Sequence, residues 1–230
     1  MVKRVEPETK IVLETPTGLV TVYVKWENHM VASINLENVP AFLYRKELHI
    51  DLAGYGDVSV DIGYGGNFFV LADVHSLGLT ITKDTVNLLR SLSKDILAAA
   101  NKVIKVAHPT NPAINYLDQV LFCQNVPEED GGYLAQCIFG DAQADISPCG
   151  TGTSTRLAQR YFRGLIGLEE TFVQKSVCGG AFHAKGLRET TLGGVPAIVP
   201  YVSCSDVHIT GFNHLIVEEN DKLKNGFVSW

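Results

Sequence analysis

The densest chemistry in the sequence lies in Asp145-Ile146-Ser147-Pro148-Cys149-Gly150-Thr151-Gly152-Thr153-Ser154. The pattern reads as a strand running into a glycine-rich loop that opens a helix. Free N–H groups and the dipole at a helix N-terminus favour an anion. Glycines let the backbone close around a carboxylate or phosphate. The same field lowers a thiol pKa, so Cys149 is placed to be a thiolate. Asp145, four residues upstream, can accept a hydrogen bond from a substrate ammonium. One loop thus offers a base, an anion cradle and a cation partner, a combination that suits an α-amino acid.

Other chemistries fit less well. A P-loop needs a Lys before its Ser/Thr, and none is present. A dinucleotide fingerprint needs a third glycine where Thr155 stands. A buried structural cysteine with glycines only for turning stays open. So does acyl transfer by Cys149 with one of the seven histidines as base, because no feature picks one. Cys178, His183, Cys204 and His208 offer two thiols and two imidazoles to a zinc ion. Residues five apart on a strand point to opposite faces. Residues four apart stand ~13 Å from each other at strand rise. The short Cys-x2–4-Cys spacing of structural zinc sites is missing too, so no metal is predicted.

Elements that could position this loop are legible on both sides of it. Residues 11–25 read as a hairpin around Thr15-Pro16-Thr17-Gly18. Strands are predicted at Val31–Leu36 and Leu48–Leu52, and at Val58–Ile62, where Val58, Val60 and Ile62 alternate with Ser59 and Asp61. Gly65-Gly66 before the apolar run Phe68–Ala72 implies close approach of the backbone to something. Apolar residues at spacings of three and four predict a helix over 84–107, capped by Thr82 or Asp84 and ended by His108-Pro109. Strands follow at Val120–Cys123 and Leu134–Phe139, then a second helix from about Ser154 to Arg163. A hairpin over 171–185 and strands at Ala197–Ser203 and near Val207–Thr210 complete the reading. Phe172–Gly186 can be laid on Ile11–Trp26 with Gly179 over Gly18, a weak internal repeat.

Composition narrows the class. Of 230 residues, 46% are hydrophobic and 19% charged, enough to build a core and too apolar for disorder. The net charge of −6, without a Lys/Arg cluster, argues against a nucleic-acid partner. No apolar stretch is long enough for a membrane span, so no membrane partner is expected. The N-terminus has no signal-peptide core, and the five scattered cysteines read as reduced thiols in a cytosol.

DISPCGTGTS at 145–154 resembles the second catalytic motif of the proline racemase family, which includes 4-hydroxyproline 2-epimerases and trans-3-hydroxyproline dehydratases. ETPTGLV at 14–20, NVPAFLY at 38–44, YGGNFFVLADV at 64–74, HPTNP at 108–112 and ITGFNHLIVEENDKLKNGF at 209–227 also look like family segments, in family order. The resemblance implies a two-domain, pseudo-symmetric α/β (α+β) fold similar to diaminopimelate epimerase. It also implies proton transfer between two cysteines on opposite faces of the substrate Cα, without a cofactor. By position, Cys149 matches the second catalytic cysteine and Asp145 the residue holding the substrate nitrogen. Gly150 and Thr151 match the carboxylate cradle, and Phe139 an aromatic wall beside the pyrrolidine ring. The implied ligand is an imino acid, proline or hydroxyproline; a homodimer is expected separately, from apolar side chains such as Val12, Leu19 and Val22 in the 11–25 hairpin that a missing segment would leave exposed. Cysteine at 149 favours a racemase or epimerase, because the dehydratases usually carry Thr there.

The family's first motif, Met-Cys-Gly-His, has no counterpart in this sequence. The resemblance therefore implies a member lacking about one hundred N-terminal residues, the size of a small domain half. On that reading 1–53, joined by 208–230, is the remnant of the first domain, and 54–207 is the domain carrying the Cys149 loop. Such a chain is expected not to racemise. Its alternative is a non-catalytic remnant or an imino-acid-binding module.

Overall fold

A computed structural model of the chain describes residues 2–126, 132–205, 207, 208, 211, 214 and 216–224. The elements run β1 (Glu8–Thr15), β2 (Gly18–Glu27), β3 (Met30–Glu37), β4 (Phe42–Leu52), β5 (Gly56–Tyr64), β6 (Phe68–Asp73), α1 (Val86–Val103), β7 (Leu117–Asn125) and β8 (Gly132–Phe139). They continue with β9 (Gln143–Ala144), α2 (Gly150–Phe162), β10 (Phe172–Ser176), β11 (Ala181–Leu192) and β12 (Val195–Cys204). One sheet holds them in the order β1-β2-β3-β12-β11-β10-β8-β7-β6-β5-β4, with β9 paired to β8. This is the α/β class expected from the sequence.

The sheet closes on itself. Ala41, just before β4, exchanges both backbone hydrogen bonds with Ile198 of β12, at 2.8 and 2.9 Å. The strands from β12 round to β4 therefore form a barrel, and α2 lies within it, touching β4, β5, β6, β11 and β12. β1, β2 and β3 continue the sheet beyond the barrel as a wing.

The barrel wall is buried on both faces. Val58, Val60 and Ile62 of β5, Val70 of β6 and Phe122 of β7 pack outward with Leu89, Leu92 and Ile96 of α1. The alternate residues point at α2. Asp61 is 3% exposed and accepts hydrogen bonds from Gln159 and Arg163 of the α2 end. Of the polar residues on this period-two strand, Asp61 thus faces the inner helix, while Ser59 is exposed. The close approach implied by Gly65-Gly66 is to α2: a Cβ on Gly65 would lie 2.5 Å from the Thr155 backbone N and 2.6 Å from the Thr151 carbonyl oxygen.

Several boundaries differ from the sequence reading. α1 ends at Val103, because Ile104 is extended at φ −135° and ψ 144°. Neither Thr82 nor Asp84 is its N-cap; Thr85 is, and its hydroxyl bonds back to the carbonyls of Thr80 and Thr82. α2 begins at Gly150 and not near Ser154, so the glycine-rich segment is itself the first helical turn. Intrinsic propensity opposes glycine there, but a Cβ on Gly152 would meet Leu121 and the Cys149 sulfur, each at 3.1 Å. β11 runs on to Leu192 and turns into β12 through Gly193-Gly194, both at positive φ. Both arms of the repeat, β1–β2 and β10–β11, are antiparallel hairpins. Val207 and His208 lie in no strand, and residues 209 and 210 lie outside the described ones, as do 212, 213, 215 and 225–227 of the 209–227 segment. A division at 53/54 falls in the turn between β4 and β5, and the sheet runs unbroken across it.

Candidate functional site

β8 enters the barrel wall with Ala135 and Cys137 on the inner face and Phe139 packed beside them. After Phe139 the chain reverses through β9, and the Asp145 N–H donates to the Cys137 carbonyl at 3.0 Å. Three buried or half-buried side chains pin the following loop. Gln136 donates to the Asp145 carbonyl at 2.9 Å, Ser176 to the Ile146 carbonyl at 2.8 Å, and Gln174 to the Pro148 carbonyl at 2.9 Å. Asn38 reaches in from the β3–β4 connection, donating to the Ser154 hydroxyl at 2.9 Å and to the Gly65 carbonyl at 3.0 Å. The loop is thus held by strands on several sides of the barrel before it starts the helix. Gln136, Gln174 and Ser176 did not stand out in the sequence, because single polar residues in strands carry no motif, and Asn38 appeared only as the first residue of NVPAFLY.

Cys149 is the N-cap of α2, at φ 66° and ψ 111°. Its sulfur accepts the Gly152 N–H at 3.3 Å and lies 3.6 Å from the Thr151 hydroxyl. The amides of Gly150 and Thr151 belong to the first helical turn, where no intrahelical acceptor exists. A side chain on Gly150 would meet open space, so this turn is approachable. Asp145 accepts the Ser147 N–H on one carboxylate oxygen at 2.8 Å. The structure therefore gathers Asp145, Cys149, Gly150 and Thr151 in one turn, with Phe139 packed against the cluster that contains Cys149.

Sequence reasoning missed the nearest neighbour. Cys137 presents its sulfur to Cys149, and the two sulfurs and an Asp145 carboxylate oxygen all lie within 4.8 Å of one another. Alternation along β8 was the signal: residues 137 and 139 share a face, and Phe139 was already assigned to the site. The Cys137 thiol, the Thr151 hydroxyl and the Gly152 N–H hold the Cys149 thiol below its ordinary range, against the opposing pull of burial and the Asp145 carboxylate. The Cys149 sulfur and burial push the Cys137 thiol up, so of the pair Cys149 is the one that ionises first. Among the described residues, Cys137, Asp145 and Cys149 are the one group of three donors close enough to share a cation. A hydrated cation would have to lose its water to reach Cys137, which is 1% exposed between Leu121 and Phe69. Cys178, His183, Cys204 and His208 form no such group. Beside Ser147 an apolar pocket of about 410 Å³ opens, lined by Ile34, Leu36, Phe182 and Val202.

Known proteins are similar to this chain along nearly its whole length. The family described as Proline racemase matches residues 1–228. A trans-3-hydroxy-L-proline dehydratase of Burkholderia cenocepacia is 37% identical over 99% of this chain and 68% of its own length. A proline racemase of Acetoanaerobium sticklandii is also 37% identical, with the same coverage. The solved structure of a hydroxyproline epimerase from Agrobacterium vitis, with bound trans-4-OH-L-proline, superposes with a TM-score of 0.85 at 31% identity, covering 99% of this chain and 65% of the other. The chain belongs to the proline racemase family, and it spans about two thirds of the length of these relatives.

Proposed function

We propose that Cys149 is an acid/base thiol of a cofactor-independent racemase or epimerase acting on proline or a hydroxyproline. The observation that carries the reading is the Cys149 sulfur at the N-cap of α2, held by the Gly152 N–H beside the Asp145 carboxylate. The free amides of Gly150 and Thr151 donate to the substrate carboxylate. The Asp145 oxygen accepts from the substrate nitrogen, and Phe139 lies against the ring. Cys149 as thiolate then takes the α-proton from the face it meets, and the negative charge left on Cα delocalises into the carboxylate that the amides hold.

Inversion needs a second proton donor on the opposite face. Cys137 cannot serve there, because it lies behind Cys149 in the barrel wall. The chain on its own is therefore proposed to exchange the α-proton of its substrate with solvent and not to invert it. NMR of L-proline or trans-4-hydroxy-L-proline in D2O, alongside optical rotation, tests this. Loss of the α-proton signal with unchanged rotation is the expected outcome, and it should disappear in Cys149→Ser. Exchange that persists in Cys149→Ser removes Cys149 from the mechanism, and binding without exchange leaves an imino-acid-binding module. Inversion by this chain would overturn the one-face reading.

The similarity to a trans-3-hydroxy-L-proline dehydratase favours a second reading, loss of the 3-hydroxyl as water after the same proton abstraction. Cysteine at 149 speaks for proton return instead. Formation of a dehydrated product from trans-3-hydroxy-L-proline would decide for the dehydratase. The five free cysteines support a reducing, cytosolic compartment, and no helix among the described residues is long and apolar enough to cross a membrane.

A further inference from the structure

Cys137 lowers the Cys149 thiol but neither takes nor gives a proton in the transfer proposed above. Proton abstraction uses one thiol, and Cys137, 1% exposed, meets no substrate. Yet its sulfur lies within 4.8 Å of the Cys149 sulfur, at the floor of an otherwise apolar cluster of Phe69, Leu71 and Leu121. A reactive thiol at a helix N-terminus with a second thiol behind it is the arrangement in which a sulfenic acid is captured as a disulfide.

We propose that Cys149 is a peroxide-sensitive thiol and Cys137 its resolving partner. The Cys149 thiolate attacks one oxygen of hydrogen peroxide, the O–O bond breaks, and Cys149 becomes a sulfenic acid as hydroxide leaves. The Cys137 sulfur then attacks the Cys149 sulfur. The S–S bond forms, the S–O bond breaks, and the departing hydroxide takes the Cys137 proton and leaves as water. Two thiols are oxidised by two electrons in all, and one peroxide is reduced to two waters. Only Cys149, 8% exposed, has to meet the oxidant, while Cys137 reacts from inside the wall. Closing the sulfurs to bonding distance, about 2.05 Å, draws the Cys149 sulfur off the Gly152 N–H and away from the anion cradle. The disulfide thus holds the site in a form without a base, until a thiol reductant restores it. The inference depends on the two thiols alone and does not require the imino-acid reading.

The test reads thiols and mass rather than turnover. The reduced chain is treated with hydrogen peroxide, blocked with iodoacetamide and digested. The free-thiol titre in denaturant is expected to fall from five per chain to three, with a dithiothreitol-reversible Cys137–Cys149 peptide pair and with Cys178 and Cys204 still alkylated. In Cys137→Val the pair is absent and Cys149 goes on to the sulfinic acid. Cys137→Ser, nearly isosteric, gives the same result if Val disturbs the wall. Linkage of Cys149 to Cys123, Cys178 or Cys204, oxidation that leaves Cys149 free, or stable sulfenic acid in the unaltered chain would each overturn the proposal. Proton exchange can fail while the disulfide forms, and the reverse, so the two readings are told apart.

Discussion

Cys149 sits between two neighbours that pull its proton affinity in opposite directions, and each can be removed separately. The Cys137 thiol holds the Cys149 thiol down and the Asp145 carboxylate raises it. The rate of iodoacetamide alkylation at Cys149 follows the thiolate fraction. Its midpoint should therefore lie below the ordinary thiol value of 9.0, with alkylation falling as pH drops through that lowered midpoint. Cys137→Val should move the midpoint up and Asp145→Asn should move it down. Midpoints that both move the same way would show the pair geometry to be wrong. Asp145→Asn also keeps the acceptor for the Ser147 N–H while losing the charge that faces the substrate nitrogen. A charge-assisted hydrogen bond contributes about 1.5–3 kcal/mol, so imino-acid binding should weaken roughly 10- to 100-fold, as titration calorimetry would read.

At the scale of elements, the site depends on how closely α2 nests against β5 and the Gly65-Gly66 turn. A methyl group on Gly65 would meet α2 backbone, which cannot rotate out of the way. Gly65→Ala should cost about 1–3 kcal/mol as an overpacked core does. It should also slow Cys149 alkylation at fixed pH, since it displaces the first turn of the helix. A fully native alkylation rate in a destabilised Gly65→Ala chain would separate the packing from the site. The other end of α2 is anchored by Asp61. Burial pushes its carboxyl up, but the Arg163 guanidinium, the Glu47 N–H and Gln159 bring it below the usual range overall. Its contribution to stability is then complete above the ordinary carboxylate value of 3.8 and lost as pH falls through the lower folded value. Asp61→Ala should cost about 3–5 kcal/mol in urea unfolding at neutral pH, as breaking a buried pair does, and the deficit should shrink in acid below that value. These features also mark the limit of what could be read beforehand. The alternation of Val58, Val60 and Ile62 was plain, but nothing in it showed that Asp61 meets a helix, because a helix inside a closed sheet leaves no local pattern. The start of α2 was obscured because its first turn is built from glycines that tertiary contacts, not propensity, keep helical. Cys137 was hidden in an apolar run and became visible only once β8 had a face.

At the scale of the whole molecule, closure through Ala41 and Ile198 joins residues far apart in sequence, so no local signal announced the barrel, whereas the Cys149 loop was legible as a contiguous motif. Closure also leaves β1, β2 and β3 outside the barrel, where Val20 and Leu36 pack on the core clusters while Leu13 stays exposed. Register places Ile11 opposite Val22, Leu13 opposite Val20, and Val22 opposite Leu36. Paired residues share a face, so these five side chains make one apolar stripe that reaches Leu36 in the pocket beside Ser147. Leu13 is 46% exposed, and on the opposite face Leu19 is 66% exposed. Apolar surface gains about 25 cal/mol for each Å² removed from water, and β1 adds an open strand edge. Two copies of the chain are therefore expected to associate through the wing. Sedimentation should give a weight-average mass that rises with concentration above the 25.1 kDa of one chain. Leu13→Lys with Val22→Lys should return it to one chain, since like charges facing each other across the contact cost burial and add repulsion. Cys149 lies in the barrel and not in the wing, so its alkylation midpoint should be unchanged in that double variant. A mass that stays at one chain at every concentration would remove the wing as an interface, and association unaffected by the two lysines would place the contact elsewhere on the molecule.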